Sequence, residues 1–286
     1  GLSKADFRIY ENGKEQKISN FTIDPIPLSV AVLVDTGLGA KTFEQIQKTL
    51  VALNDAFSAF DEVAVYRFDS YVAQLSDFSS NKDAIQVALS RLKEIHPVNG
   101  LEPMVGDPFS TPGPMINGMP VAPSLQLPGV PGQPPKDVKI LHDAMFNVAD
   151  DLRKRPAERR RVLMVVSDGR TGSNEHTYDQ VLTRLLENNI EVYSVGVDLA
   201  FLNRHFSILD KYSKATGGDS FFLNGTDSLE RAYARAAEEA RNQYVLGYFS
   251  SNEATGPLPV YRTINVETPK RGLKVLHRAG YYQYPR

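Results

Sequence analysis

Three aspartates stand where short apolar runs stop. Asp35 closes the run Leu28 to Val34, Asp69 follows Val63 to Phe68, and Asp168 comes just after Val162 to Val166. Continuous hydrophobicity over so few residues reads as strands buried on both faces, as in a parallel sheet. In open parallel sheets the functional groups gather at the carboxyl ends of the strands. Asp35 and Asp168 end strands expected to lie side by side near the switch point. Two carboxylates meeting there in apolar surroundings call for a cation between them. The plainer alternative is that each aspartate caps the turn or helix that follows it, and Asp69 keeps that reading.

Other chemistry is thinly represented. The chain has no cysteine, which excludes disulfides, zinc–thiolate sites and thiol catalysis. Its histidines are scattered without metal-ligand spacing, so each reads as a surface or packing residue. His142 and Asp143 are sequence neighbours, but neighbours on a helix point about 100° apart and form no relay. No serine sits in Gly-x-Ser-x-Gly. Arg153-Lys154-Arg155 and Arg159-Arg160-Arg161 form a basic rim, either a solvated helix end or a site for an acidic partner. Tyr281, Tyr282 and Tyr284 are either interface aromatics or strand residues packing on the sheet.

The elements that must position these groups follow from periodicity. Residues 6–24 read as a β-hairpin about a tight turn at Asn12-Gly13, which Pro25 and Pro27 then close. Helical spacing is expected over 41–60, 81–95, 139–154, 177–189, 203–215 and 227–241. Strands are expected at 28–34, 63–68, 71–75, 162–166, 192–197 and 220–223, then 244–249, 260–267, 273–276 and 279–283. This alternation predicts an α/β fold with a doubly wound, mostly parallel six-stranded sheet. The N-terminal β-hairpin and the C-terminal β-strands are expected to form a small β-rich appendage. The expected division is 1–27 as an N-terminal extension, 28–242 as the α/β domain and 243–286 as a C-terminal extension.

Residues 97–137 hold eleven of the eighteen prolines and six glycines. That composition predicts a long exposed loop inserted in the α/β domain. Over the whole chain, 42% apolar and 23% charged residues suit a sizeable core. A net charge of −2 argues against nucleic acid as a partner. No run approaches the roughly 18 apolar residues of a membrane span. No signal peptide is visible, and whether a leader has been removed stays open.

At this point the sequence resembles a known family. Val34-Asp35-Thr36-Gly37-Leu38-Gly39, Val63 to Asp69 and Val165-Val166-Ser167-Asp168-Gly169 look like the fixed points of von Willebrand factor A domains. Leu2 to Gly13, Gln243 to Tyr248 and Gly280-Tyr281-Tyr282 resemble the flanks of the A-domain family abundant in Acidobacteria. The resemblance spans nearly the whole chain except the proline-rich segment. It implies a metal-ion-dependent adhesion site built on Asp-x-Ser-x-Ser, a threonine and a further aspartate. Asp35 matches the first aspartate and Asp168 the last. Gly37 and Gly39 stand at the two serine positions, and Lys139 precedes the helix where the threonine belongs.

Removing three hydroxyls weakens an oxygen cage, and an ammonium at the threonine position repels a divalent ion while pairing with both carboxylates. The expectation is a degenerate site in which Lys139 replaces the metal. No cofactor is then needed, although two aspartates and water remain able to hold Mg²⁺ or another divalent cation weakly. The other reading of Lys139 is a solvated helix-start residue, one position out of register. The resemblance further implies a non-enzymatic adhesion module, exported to the periplasm, cell envelope or exterior. It would bind a protein or glycan through a surface around Asp35, Asp69, Lys139 and Asp168. The alternatives are a structural envelope module without a specific ligand, and a hydrolase using the paired aspartates.

Overall fold

The computed structural model describes residues 1–95, 115–116, 119–120, 139–197, 206–222, 226–253 and 256–285. Near the N-terminus β1 (Arg8–Glu11) and β2 (Lys14–Gln16) pair antiparallel. Between them Asn12 and Gly13 both take positive φ, 49° and 76°, the double left-handed turn that matches strand twist in a hairpin. The third strand, β3 (Ile18–Thr22), leaves the hairpin.

The chain then enters the main layer. β4 (Leu28–Asp35) is buried along its whole length. It is followed by α1 (Ala40–Asp55), β5 (Glu62–Phe68), β6 (Val72–Ser79) and α2 (Lys82–Lys93). β7 (Met115–Ile116) and β8 (Met119–Pro120) pair antiparallel inside the proline-rich segment. The rest of the loop expected at 97–137 lies outside the described residues. Next come α3 (Leu141–Leu152), β9 (Arg160–Ser167), α4 (Tyr178–Glu187), β10 (Ile190–Gly196), α5 (Phe206–Thr216), β11 (Ser220–Phe222) and α6 (Thr226–Arg241).

The large sheet has six strands in the order β11-β10-β9-β4-β5-β6, parallel throughout except for β6, which runs antiparallel to β5. This is the doubly wound α/β layer expected from the alternation of elements. Strand pleating sorts β4 cleanly. Leu28, Val30, Val32 and Val34 face one core with side chains of α1, α2 and α6, while Ala31 and Leu33 face the other with those of α3, α4 and α5. Chain order reverses between β4 and β9, so the switch point of the sheet lies where these two neighbours end.

After α6 the chain returns to the N-terminal strands. β12 (Val245–Tyr248) pairs with β3, and β13 (Val260–Glu267) pairs with β1 and with β14 (Gly280–Gln283). The resulting four-stranded sheet, β14-β13-β1-β2, and the two-stranded β12-β3 sheet pack around Phe7, Ile9, Ile18 and Ile264. Glu11 is fully buried beneath them and accepts hydrogen bonds from Tyr248, Ser250, Asn252 and Tyr281.

Some local expectations are corrected. Residues 273–276 form no strand. Just after them Ala279 N–H donates to Ala215 C=O at 2.8 Å and Arg278 bridges to Thr216, so the chain meets the end of α5 before it enters β14. The helix expected to reach residue 60 stops at Asp55. Asp61 accepts from the Ser58 N–H and hydroxyl, folding 58–61 into a turn. The strand expected at 71–75 runs from Val72 to Ser79 as the antiparallel edge.

Candidate functional site

Asp35 and Asp168 arise from adjacent strand ends, because β4 and β9 pair in register up to Val34 opposite Val166. Lys139 reaches them from just ahead of α3. Its backbone is held on both sides: Ile140 N–H donates to Asp69 C=O at 3.0 Å, and Lys139 C=O accepts from Gly172 N–H at 2.7 Å. The Nζ lies 3.0 Å from Asp35 Oδ2 and 3.0 and 2.9 Å from Asp168 Oδ1 and Oδ2. The side chains of Lys139, Asp35 and Asp168 are only 8%, 0% and 11% exposed.

Backbone and hydroxyl donors complete the cluster. Gly37 N–H donates to Asp35 Oδ1 at 2.9 Å, and Ser167 Oγ donates to Asp35 Oδ2 at 2.7 Å. Arg170 N–H donates to Asp168 Oδ1 at 2.9 Å. Burial pushes the Asp35 carboxyl up, the Lys139 ammonium pulls it down, Asp168 pushes it up again, and it rests at about 6. Desolvation therefore outweighs the ion pair for this group.

Gly37 shapes the space. A Cβ there would lie 3.1 Å from Lys139 Cε and 3.4 Å from Asp35 Oδ1, whereas a Cβ at Gly39 would meet nothing within 4 Å. The lysine stem runs through the volume that a side chain at 37 would need.

Asp69 stands apart from the cluster. Its Oδ1 accepts from Ser70 and Tyr71 N–H, and its Oδ2 receives Arg67 Nη1 and Thr36 Oγ1, both at 3.2 Å. This is a turn-closing aspartate. Arg67 also lies over the Tyr71 ring, 4.5 Å from its centroid.

The remaining candidates fall elsewhere. His142 Nδ1 meets Tyr212 OH at 2.7 Å, while Asp143 meets His176 Nδ1 at 2.8 Å, so the two neighbours serve separate contacts. The basic rim is divided. Arg153 and Lys154 pair with Asp150 and Asp151 on their own helix. Arg155 makes a two-pronged bond to Glu62, Arg159 ties to Ser29 and Leu28, and Arg161 binds Asn188 C=O. These three lace the amino-terminal edge of the sheet together and are not a solvated helix end. Tyr281 and Tyr282 bond to Glu11 and Thr183, the packing alternative. Sequence reasoning missed Ser167 and Glu11. Ser167 stands at the end of β9 beside Asp168, and its hydroxyl donates to Asp35 Oδ2 across to β4. Glu11 sits in a turn sequence, where nothing signals burial.

The sequence matches no family profile, and no curated protein matches it. Solved structures do resemble it in fold. A von Willebrand factor type A structure from Catenulispora acidiphila superposes with a TM-score of 0.51 at 10% identity, over 82% of this chain and 50% of that one. This chain thus spans half the length of that structure. An aerotolerance-related membrane protein from Bacteroides fragilis gives 0.49 at 14% identity, over 74% and 98%. A manganese-loaded Plasmodium vivax TRAP protein gives 0.48 at 10%, over 94% and 95%. The fold is that of a von Willebrand factor A domain.

The family resemblance implies a divalent cation between the two strand-end aspartates, and the oxygens around them are few. Mg²⁺ needs about six oxygens in near-octahedral array. Gly37 and Gly39 offer no side-chain oxygen, and an ammonium already lies within hydrogen-bonding distance of both carboxylates. Among the described residues no group of three or more His, Asp or Glu is placed to hold a metal ion.

Proposed function

We propose that this chain is a non-catalytic interaction module of von Willebrand factor A type, binding a protein or glycan with the carboxyl-terminal edge of its parallel sheet. The observation that carries this reading is the state of the paired aspartates. Asp35 is fully buried and Asp168 nearly so, each already hydrogen-bonded to Lys139. A hydrolase would need one of them free beside a nucleophile or a water. Around this closed centre Gly37, Gly39, Ser70, Tyr71 and Arg170 stand exposed. They offer backbone, hydroxyl, aromatic and guanidinium contacts of the kind interfaces use. Residues 28–242 would form the interacting unit, with 1–27 and 243–286 combining as its β-rich appendage.

Export to the cell envelope or exterior belongs to the same reading. Among the described residues no helix is long and apolar enough to cross a membrane. The test is capture of envelope proteins and glycans by the native chain, by Tyr71→Ala and by Arg170→Glu. A partner retained by the native chain and lost by both variants, with unchanged melting, supports the reading. Equal capture by all three, or turnover of a glycan that disappears in Asp35→Asn, overturns it.

A further inference from the structure

We propose that Lys139 is the resident cation of this site, that Gly37 is the residue that makes room for it, and that the A-type face consequently works without a metal. This deepens the interaction reading by saying how the face recognises its partner. Four observations converge. The ammonium lies within 3.0 Å of one oxygen of Asp35 and of both oxygens of Asp168. Its side chain is 8% exposed. Its backbone is fixed by bonds to the loops after β5 and β9, through Asp69 C=O and Gly172 N–H. Its stem fills the volume next to Gly37, and not next to Gly39.

Electrostatics gives the arrangement its logic. Two carboxylates brought out of water side by side repel each other and need a positive charge in contact with both. A divalent ion supplies that charge with coordination positions left over, which a partner's oxygen can complete. An ammonium supplies one charge and three donors, and Asp35 and Asp168 already accept from it. No open coordination position results, so a carboxylate from the partner has no metal to complete. Recognition falls to the rim: Tyr71, Arg170 and the exposed backbone at Gly37 and Gly39. Binding of this kind is insensitive to chelators and to the supply of cations.

Gly37 and Lys139 are then a coupled pair. Serine or alanine at position 37 would press the lysine stem at 3.1 Å, closer than ordinary van der Waals contact. Glycine at position 39 meets no such contact; as the N-cap of α1 it can give way to serine.

The experiment is calorimetric titration of Mn²⁺ and Mg²⁺ into the chelator-treated whole chain, with thermal melting of the same samples. The native protein should give no binding heat up to about 1 mM cation, the weak limit of dedicated extracellular sites, and an unchanged Tm. Lys139→Ala removes the ammonium that both buried carboxylates share and, among the described residues, leaves Asp168 only Arg170 Nε at 3.7 Å as an ion-pair partner, so its Tm should fall. Mn²⁺ at about a hundred times its Kd for that variant should restore much of the loss, because an ion that binds only the folded state stabilises it. Micromolar binding of Mn²⁺ by the native protein overturns the proposal. So does a Lys139→Ala variant that melts like the native chain and ignores Mn²⁺.

If Lys139→Ala does not fold, two variants that keep the lysine decide the matter. Gly37→Ser should lower Tm while Gly39→Ser, which gives α1 a better N-cap, should not, and equal effects overturn the proposal. Failure here is distinct from failure of the interaction reading. A native chain that binds Mn²⁺ tightly and still loses its partner on Tyr71→Ala and Arg170→Glu sinks the lysine and keeps the module. Rim variants that bind as the native chain does sink the module and leave the lysine intact.

Discussion

The Asp35 carboxyl carries an opposition that can be read in solution. Burial pushes it from an ordinary 3.8 up to about 6 although an ammonium lies 3.0 Å away. The unfolded chain lacks that burial, so between about pH 4 and pH 6 the folded state binds more protons than the unfolded one. Stability then falls as pH rises through this window, and the cost is fully present above about pH 6. Asp35→Asn removes the titrating group. In urea denaturation at stepped pH, the stability of the native chain relative to Asp35→Asn should fall between pH 4 and 6, because carboxylates held low, such as Glu11, slope the other way in both proteins. A difference that stays flat across this window assigns no such cost to Asp35. Spacing made this residue legible, because an aspartate that closes a buried apolar run at a switch point is a pattern the sequence itself carries. The contact with Lys139 was legible only as a correspondence between positions. No local periodicity says that a lysine 104 residues away turns inward, since that depends on how β5, β9 and α3 meet.

Elements show the same division between local and non-local information. Each strand of the six-stranded sheet could be read from sequence, because a run such as Leu28 to Val34 is too apolar and too β-branched for any exposed setting. Strand partners were less legible. The hairpin of β1 and β2 follows from Asn12-Gly13, yet β3 turns away to β12, and 273–276 pairs with no strand at all. Hydrophobic alternation marks a surface to be covered without saying what covers it. Glu11 supplies what the pattern lacked. Burial pushes its carboxyl up, but the bonds from Ser250, Asn252, Tyr248 and Tyr281 outweigh it and hold the group below its ordinary 4.5. These donors come from the β12 strand, the turn after it and β14, so one carboxylate gathers the appendage. A lowered folded pKa gives stability that is present above about pH 4.5 and is lost as pH falls through the folded value. Glu11→Gln should cost roughly 2 kcal/mol at neutral pH, a hydrogen-bonded charge being exchanged for a neutral acceptor. It should also flatten the acid limb of the stability profile below pH 4.5. An acid limb equal to that of the native chain would place the acid sensitivity elsewhere, for example at Glu62 or Asp61, which their own donors also hold low.

At the scale of the molecule, two bodies of unequal packing share one chain whose ends are interleaved. The six-stranded sheet is sandwiched between two large clusters of fully buried side chains. The appendage rests on Phe7, Ile9, Ile18 and Ile264, with Glu11 beneath. Between them lies a solvent-open cleft of about 700 Å³, lined by Phe7, Ile9, Leu246 and Ile264 from the appendage and by Arg160 and Glu191 from the sheet edge. Polar bonds span its wall, with Gln243 Nε2 donating to Glu191 Oε2 at 2.7 Å and to Tyr193 OH at 2.9 Å. A seam split by a solvent-open cleft has fewer of the close contacts that make a core cooperative. The four-stranded sheet also depends on β1 meeting β13 more than 240 residues later, which brings the loop-closure cost of a non-local pairing. Its opening should therefore take less free energy than unfolding of the main layer. Native-state hydrogen exchange tests this directly. Amides of β1, β13 and β14 should exchange through a subglobal opening, while those of β4 and β9 exchange only through global unfolding. Glu11→Gln should lower protection in the first set and leave the second nearly unchanged. If all five strands exchange with one common free energy, in the native chain and in the variant alike, appendage and sheet form a single cooperative unit and the cleft does not weaken the seam.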